Sequence, residues 1–347
     1  MPRAVLCAAA AVLGLFVPHA RAAEDDPRAW LERMGEALAT RNYYGLFIHT
    51  TDGRSETMRI VHRVEGTETF ERLVSLDGSG REIVRTADEM HVYLPDRKVV
   101  LVEPRSDRGS LINAFPTPSP GLDALYDLQV SAGSRMLGRE AKVLDIRPRD
   151  RFRYGYRLWL DAQSAMPLRS VVADGSGRIV EGIHFTRLEM PGHIAASATE
   201  ASVEAAGFQW IRTGRRPATS AAAATAAAWR PMKIPPGFRL VGSRVQSVPG
   251  VPMPAQHLIF SDGFASVSVF IEPGSAAGPA PPEAASIGSA NAFSTRIQGH
   301  VVTAVGEVPP DTVREFAVSV APVGTPEPVP AGPPESLPVQ SLAPAPR

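Results

Sequence analysis

The sequence predicts a mainly β protein of the α+β class, with a large N-terminal domain and a smaller C-terminal α+β domain. From Tyr43 to about Glu189, short segments alternate polar and apolar residues, which is the period of a half-buried strand. Turn dipeptides such as Asp52-Gly53 and Asp174-Gly175 separate these segments, as hairpins require. Most segments are only half apolar, so we expect one curved antiparallel sheet with one covered face and one wet face. The same pattern resumes after Trp229 on a smaller scale, which predicts the second domain.

Residues 1–22 have the three parts of an export signal that is removed from the mature protein. Arg3 supplies the positive charge, Val5–Val17 the apolar segment, and Ala20-Arg21-Ala22 the small residues before the cleavage site. The apolar segment is shorter than the roughly 20 residues that a membrane-spanning helix needs. Cys7, the single cysteine of the chain, lies within this segment. The mature protein therefore contains no cysteine, which excludes disulfides and thiol chemistry.

The first domain, predicted over residues 23–195, begins with a helix. Asp26 is a candidate N-cap and Pro27 suits the first helical position. Apolar residues then recur at intervals of three and four, which predicts a helix with one buried face, ending near Arg41-Asn42. These apolar residues are Trp30, Leu31, Met34, Ala37 and Leu38. The predicted strands that follow are Tyr43–Thr51, Thr57–Glu65, Thr69–Leu76, Glu82–Thr86, Met90–Leu94, Val99–Glu103, Leu128–Ala132, Lys142–Arg147, Tyr154–Leu160, Pro167–Ala173 and Ile179–Leu188.

Composition marks the boundaries beyond the first sheet. Residues 196–228 end in a run of alanines and are predicted to be a linker. The second domain is predicted over residues 229–321, with a hairpin around Asp262-Gly263 and a helix that opens at Pro309-Pro310. Inside it, Gly274–Ala290 is rich in Gly, Ala, Pro and Ser and is predicted to be a disordered insertion. Residues 322–347 contain nine prolines and are predicted to be a disordered tail.

No motif in the chain indicates catalysis, a cofactor or a metal. The histidines of the mature chain do not form His-Glu-x-x-His or another ligand spacing. Asp77–Arg81 and Asp174–Arg178 both contain Gly-Ser-Gly, but each is a turn between strands, whereas a serine nucleophile sits between a strand and a helix. Without residues 1–22, acidic residues outnumber basic residues by two, and this near-neutral balance gives no argument for nucleic acid binding. We therefore expect a binding protein that is not an enzyme and needs no cofactor.

Arginines cluster at Arg147, Arg149, Arg151 and Arg153. Strand spacing would project these side chains to one side. One hypothesis is a site for lipid phosphates or for acidic residues of a partner, because guanidinium groups bind both in a bidentate manner. The alternative is a solvated hairpin face with local ion pairs to the neighbouring aspartates, as is usual for runs of charge.

A second candidate site is the concave face of the curved sheet. Apolar side chains there would bind acyl chains, with each buried methylene contributing about 0.8 kcal/mol. The alternative is that the same side chains pack against the N-terminal helix. The alternation alone does not decide which residues face inwards, because a one-residue slip in register reverses the facing. The candidate residues are Phe47, Ile60, Leu73, Val84, Tyr93 and Trp159.

Six blocks of sequence carry a family resemblance. They are Trp30–Ile48, Asp77–Val84, Tyr154–Asp161, Pro235–Phe238, Ser261–Phe270 and Val305–Pro310. In order and spacing these blocks resemble the MucB/RseB family, the periplasmic regulators of the envelope-stress sigma factor. The resemblance covers roughly residues 27–320, and the alanine-rich linker, the Gly274–Ala290 insertion and the proline tail depart from it.

The resemblance implies that the first sheet is a half-barrel closed by helices, built like the carriers of outer-membrane lipoproteins. It implies a periplasmic protein that binds the periplasmic segment of a membrane-anchored anti-sigma factor and shields it from a stress protease. The implied release signals are lipopolysaccharide and mislocalised lipoproteins. One alternative function is a lipoprotein carrier or lipid-binding chaperone, although such a carrier would not need the second domain. An exported hydrolase is a further alternative, and a homo-oligomer remains open.

Overall fold

The structure is a computed structural model, which describes residues 26–78, 80–105, 111, 115–116, 119–212, 229–246, 254–274 and 284–323. The predicted export signal, the alanine run at 218–228 and the tail from residue 324 onwards lie outside the described residues. Within the described ranges, no helix has the length and apolar character that crossing a membrane requires. The described residues form two main sheets, each with a hydrophobic core of its own.

Helix α1 spans Pro27–Thr40, where the sequence predicts a helix. The Asp26 carboxylate accepts a hydrogen bond from the Arg28 backbone N–H at 3.0 Å, which satisfies one of the free N–H groups at this helix end. All five predicted apolar residues of α1 are buried in the core of the first sheet. A short helix, α2, spans Leu122–Leu125.

The first sheet has twelve strands and is open and curved, as the sequence predicts. The strands are β1 (Tyr43–Thr51), β2 (Arg54–Glu65), β3 (Glu68–Ser75), β4 (Glu82–Arg85), β5 (Glu89–Leu94), β6 (Val99–Pro104), β7 (Tyr126–Ala132), β8 (Ala141–Pro148), β9 (Gly155–Asp161), β10 (Pro167–Ala173), β11 (Ile179–Glu189) and β12 (Gln209–Arg212). Strands β1 to β6 form one antiparallel meander and β7 to β11 form another. The antiparallel pair of β1 and β11 joins the two meanders, and β12 adds to β6 in parallel.

The turns follow the chemistry of their dipeptides. Asp52 and Gly53 both have positive φ angles, 50° and 75°, which is the backbone of the type I′ turn that joins β1 to β2. In the second Gly-Ser-Gly segment, the Asp174 carboxylate accepts hydrogen bonds from the backbone N–H groups of Ser176 and Arg178 at 3.0 and 3.1 Å. This segment is the turn between β10 and β11, which is the structural role that the sequence predicts.

The second domain contains a six-stranded sheet, a two-stranded sheet and a helix. The two-stranded sheet pairs β13 (Trp229–Pro231) with β20 (Val320–Pro322). The other strands are β14 (Arg239–Gln246), β15 (Ala255–Ser261), β16 (Ser266–Pro273), β17 (Ala284–Ile287), β18 (Ala290–Ile297) and β19 (His300–Gly306), in the order β14-β15-β16-β19-β18-β17. Helix α3 (Pro310–Val318) buries the predicted residues Val313, Phe316 and Ala317 against this sheet.

Residues Ala196–Arg212, which we call the outer strap, pack on the outer face of the first sheet. The sequence predicts a linker over residues 196–228, and for the outer strap that prediction is wrong. Four apolar residues of β4, β5 and β6 are buried under the strap, so the outer face of this part of the sheet is not the wet face that the sequence predicts. The contacting residues Ala201, Val203 and Ala205 alternate with exposed neighbours, but two of the three are alanines, so the apolar pattern is too weak to predict a packed segment. The packed residues are Val84, Tyr93, Val100 and Val102 of the sheet and Ala201, Val203, Ala205 and Phe208 of the strap.

The predicted insertion Gly274–Ala290 is in part an ordered strand. Ala284–Ile287 forms β17, which pairs with β18 at the edge of the second sheet. All four residues of β17 are exposed, so the strand has no apolar alternation from which the sequence could predict it. Residues 275–283 of the predicted insertion lie outside the described residues.

Candidate functional site

A cavity of about 350 Å³ opens on the inner face of the first sheet. Its volume lies within the roughly 300–1,000 Å³ range of small-molecule sites, and its walls combine apolar side chains with polar and charged groups. Strands β1 to β4 and the segment before α2 form one side, and β9 to β11 form the other. The apolar wall residues of the first domain include Phe47, Met58, Leu73, Ile83, Phe115 and Tyr156.

Polar groups gather at one end of the cavity. His49 Nε2 lies 2.8 Å from Glu181 Oε1, and the Ser289 hydroxyl of the second domain donates to Glu181 Oε2 at 2.5 Å. Burial acts to raise the pKa of Glu181, but the hydrogen bonds from His49 and Ser289 outweigh it and hold the pKa below its ordinary value. The Glu181 carboxylate is therefore charged at neutral pH and ties the second domain to the cavity.

The second domain also places an aromatic ring in the cavity wall. Phe264 lies in the turn between β15 and β16 and packs against the core of the first domain. Its ring centroid lies 4.9 Å from that of Tyr126 and 5.3 Å from that of Tyr156. The cavity is thus completed by residues of both domains.

Next to Phe264, a buried ion pair joins the two domains. Arg153 Nε donates to Asp262 Oδ2 at 2.6 Å, and both side chains have an exposed fraction of 0%. The Arg153 guanidinium also donates to Asp150 and to the carbonyl of Pro236, and it lies 4.8 Å from the ring centroid of Phe238. Because a buried charge is costly without partners, these contacts make Arg153 the centre of the interdomain contact.

Three hydrogen bonds extend the interdomain contact along one side. Asn291 Nδ2 donates to the Tyr154 hydroxyl at 2.9 Å, where both residues are buried. The Thr312 hydroxyl donates to the carbonyl of Phe152 at 3.0 Å. The backbone N–H of Gly288 donates to Asp52 Oδ2 at 2.7 Å. The second domain is therefore held at several separate points around the cavity.

The structure divides the six predicted apolar residues among three places. Phe47 and Leu73 line the cavity, and Ile60 is buried in the core beside it. Val84 and Tyr93 face the opposite way, under the outer strap, so their predicted inward facing is wrong. Trp159 is also on the outer face, because it alternates with Leu158 and Leu160, which are completely buried in the core. In each of these strands the register is one residue away from the expected one.

The predicted arginine cluster is likewise divided. Arg147, Arg149 and Arg151 line a groove on the outer face together with Arg157, Trp159 and Arg169, and we call this the outer groove. Arg153 does not join them, since it points into the interdomain contact, and its predicted place in a surface cluster is wrong. The chain turns after β8, so strand spacing does not hold from Arg147 to Arg153.

Part of the outer groove is neutralised by local ion pairs. Arg149 lies 2.6 Å from Asp127, and Arg157 lies 2.6 Å from Asp145. Among the described residues, Arg151 and Arg169 have no carboxylate within ion-pair distance, and they stack on Phe152 and Trp159. Burial lowers the pKa of His184, and the positive charge of Arg169 lowers it further.

Several residues of the cavity wall are not predicted from the sequence. Met58 and Ile83 follow from Phe47 and Leu73 once strand pairing is known, because they are their cross-strand partners. The signal for Phe264 is an aromatic residue directly after a tight turn, where a ring would otherwise be exposed to water. Nothing in the pattern marks Glu181 or Ser289, which meet only through tertiary structure.

The arrangement can bind an apolar chain whose polar end meets charged groups. Within the described ranges, no group of three or more His, Cys, Asp or Glu side chains is placed to hold a metal ion. A cavity lined by rings and aliphatic side chains favours an apolar ligand, because burial of apolar surface is the main source of affinity there.

Two family models match this chain. The MucB/RseB N-terminal domain matches residues 26–203, and the MucB/RseB C-terminal domain matches residues 223–321. MucB of Pseudomonas aeruginosa, named as a regulatory protein of sigma factor AlgU, is 34% identical over 319 residues, which cover 89% of this chain and 94% of MucB. RseB of Escherichia coli, named as a sigma-E factor regulatory protein, is 25% identical over 295 residues, which cover 84% of this chain and 89% of RseB.

Solved structures show the same similarity. The complex of Pseudomonas aeruginosa MucA and MucB contains a chain that matches with a TM-score of 0.67 and 32% identity, over 86% of this chain and 99% of that chain. A crystal structure of MucB matches with a TM-score of 0.55 and 32% identity, over 85% of this chain and 97% of that chain. The similarity therefore extends over both domains.

Proposed function

The chain belongs to the MucB/RseB family, and on this premise we propose that it is a periplasmic negative regulator of an envelope-stress sigma factor. It binds the periplasmic segment of a membrane-anchored anti-sigma factor and shields that segment from regulated proteolysis. The observation that carries the proposal is the similarity of both domains to MucB, whose solved complex contains MucA. The relatives are named as regulators, which supports a role in binding and not in catalysis.

Two docked domains suit a partner that is a flexible segment. Ordering such a segment costs conformational entropy, so it needs a broad contact surface. A segment laid along both domains gains that surface and has its cleavage site withheld from protease by steric exclusion. The export signal predicted at residues 1–22 supports export to the compartment where such a segment would be found.

The cavity is the proposed receptor for the release signal, an acyl chain of lipopolysaccharide or of a lipoprotein. Each methylene that enters it contributes about 0.8 kcal/mol, so a single chain has substantial affinity. The lipid releases the partner only by binding the free regulator more tightly than the complex. To shift the partner from almost fully bound to almost fully free, the lipid must bind the free regulator about 10⁴-fold more tightly than the complex.

The outer groove is a proposed contact for acidic residues of the partner. Arg151 and Arg169 have no carboxylate partner among the described residues, and their stacking on aromatic rings holds the guanidinium groups in place. We expect the double variant Arg151→Gln/Arg169→Gln to weaken partner binding, with a larger effect at low salt. Arg157→Gln is the matched control, because Arg157 is already paired with Asp145. Equal effects of both variants would remove the groove from the binding surface.

The function is tested with the mature chain and the purified periplasmic domain of the anti-sigma factor from the same organism. Titration calorimetry should show binding, and the bound segment should be cut more slowly by a site-specific protease. Lipopolysaccharide should lower the affinity. Absence of any binding would refute the proposal.

The cavity also supports one other function, a lipoprotein carrier or lipid-binding chaperone. A carrier would transfer an acylated protein between two sets of vesicles, and the regulator would not. That transfer, together with no binding to the anti-sigma factor, would favour the carrier.

A further inference from the structure

The second domain reaches into the cavity of the first through the ring of Phe264. This residue lies at the tip of the hairpin formed by β15 and β16, where a ring would ordinarily face water. It packs instead on Tyr126 and Tyr156 and forms part of the cavity wall. The burial of this ring therefore depends on the contact between the domains.

The hairpin tip is held in one conformation and fits closely. Asp262 Oδ1 accepts from the Phe264 backbone N–H at 2.7 Å, while Asp262 Oδ2 pairs with Arg153. At Gly263, with φ of +92°, a Cβ atom would lie only 2.7 Å from the Cβ of Ser119 in the first domain. The same carboxylate thus shapes the turn that presents Phe264 and anchors that turn to the other domain.

The Phe264 ring, which is part of the interdomain contact, occupies space that a larger ligand of the cavity would need. Most of the wall belongs to the first sheet, whose strands are fixed by their hydrogen-bond ladders. Phe264 is an apolar wall residue that comes from the other domain, on a hairpin tip that belongs to no hydrogen-bond ladder of the first sheet. A ligand that needs more than the open volume of about 350 Å³ must therefore displace this ring before it moves a strand.

We infer that Phe264 is a plug: an acyl chain that fills the cavity displaces this ring from Tyr126 and Tyr156 and thereby loosens the docking of the second domain. The inference deepens the proposed function, on which it rests for its regulatory purpose. It supplies the step by which a chain bound in one domain alters a partner surface formed by both.

Thermodynamic linkage sets the sign of the test. If the acyl chain weakens domain docking, domain docking weakens binding of the acyl chain by the same factor. Removal of the plug should therefore strengthen acyl-chain binding and loosen the docking in the absence of ligand. A ring that merely lined the site would give the opposite result, because its loss would lower the affinity for the acyl chain.

The experiment uses the mature two-domain chain with myristate as a single-chain probe. The mature chain has no cysteine, so Ser131→Cys and Ser243→Cys, at exposed positions in β7 and β14, can carry a pair of spin labels. Pulsed electron paramagnetic resonance reports the distance between the domains, and calorimetry of the unlabelled chain reports myristate affinity. The partner is absent, so failure of anti-sigma binding would leave this result unaffected.

We expect myristate to change the label distances in the otherwise wild-type chain. Phe264→Ala should bind myristate about fivefold more tightly or better, the lower end of common coupling factors, and should show altered distances before ligand is added. Phe264→Leu, which keeps an apolar side chain, should be intermediate and serves if the alanine variant folds poorly. Phe270→Ala is the control, because that half-buried ring stacks on His257 within the second domain.

Three outcomes would overturn the plug. The first is that Phe264→Ala and Phe264→Leu bind myristate with wild-type or lower affinity. The second is that myristate binds without any change in the label distances. The third is that neither the wild-type chain nor the variants bind myristate.

Discussion

Arg153 and Asp262 form an ion pair that is completely shielded from solvent, although they belong to different domains and are 109 residues apart in the chain. Removal of one member of such a pair leaves a buried charge without its partner. Loss of either member should therefore destabilise the docking of the two domains.

Arg153→Met should lower the free energy of unfolding by about 3–5 kcal/mol, because Asp262 then stays buried without its guanidinium partner. Arg151→Met is the control, since Arg151 is exposed, and its effect should stay within about 0.5 kcal/mol. Urea unfolding followed by tryptophan fluorescence measures both. Equal midpoints for the two variants would show that the pair contributes little.

Gly237→Ala should destabilise the interdomain contact. Its φ of +80° disfavours any side chain by about 1–2 kcal/mol. In addition, a Cβ would lie 2.5 Å from Leu125 and 2.9 Å from Arg153, so overpacking should add about 1–3 kcal/mol. Gly66→Ala, with φ of +61° and open space around it, carries only the backbone cost. In thermal unfolding, the Tm of Gly237→Ala should be clearly lower than that of Gly66→Ala. The reverse order would show that Gly237 is not closely packed in the interdomain contact.

Glu82→Gln should release the outer strap. The Glu82 side chain is almost completely buried and accepts from the Ser202 backbone N–H at 2.9 Å and from the Ser202 hydroxyl at 2.8 Å. Hydrogen bonds to a charged group contribute about 1.5–3 kcal/mol, so amide hydrogen exchange in Gln209–Arg212 should accelerate about tenfold or more. Glu68→Gln, on an exposed residue of β3, is the control. Unchanged exchange in the strap would show that other contacts hold it.

His62 should make the protein less stable in mild acid. Burial lowers the pKa of His62 below its ordinary value of 6.5, although Glu71 and the Arg41 carbonyl act in the opposite direction. The folded state therefore prefers the neutral ring, so its contribution is complete above pH 6.5 and is lost as the pH falls towards the lowered value.

Thermal unfolding of His62→Gln between pH 7 and pH 5 measures this effect. The variant should lose stability at pH 7, because the stacking of His62 on Tyr43 is removed. Its further loss towards pH 5 should be smaller than that of the wild-type chain. His193→Gln removes an exposed histidine and should leave the wild-type pH dependence unchanged. If the His62 variant declines as steeply as the wild-type chain, the acid sensitivity arises elsewhere.

Strand positions in this fold are largely predictable from sequence because turns and alternation act together. The ends predicted for Tyr43–Thr51 and Pro167–Ala173 are those of β1 and β10, and each strand borders a turn dipeptide. The buried face of α1 is also predicted in full, because a period of 3.6 residues leaves only one apolar stripe.

The facing of individual residues is less predictable where both faces of a strand are covered. In β4, Ile83 and Val84 are adjacent and both apolar, and only the structure shows that Ile83 lines the cavity while Val84 lies under the strap. Arg153 is similar, because its partner Asp262 belongs to another domain and local charge spacing contains no information about it. The cavity as a whole depends on such tertiary contacts.

The pairing of β1 with β11 has a consequence for folding. Every partner in this pair is separated by more than a hundred residues, as for Tyr44 and Glu189, so loop-closure entropy opposes its formation. A growing chain can complete the meander β1 to β6 while the edge of β1 still lacks its neighbour. An open edge of this kind is a template for association with other chains. Newly made molecules should therefore aggregate most readily before residue 189 is available.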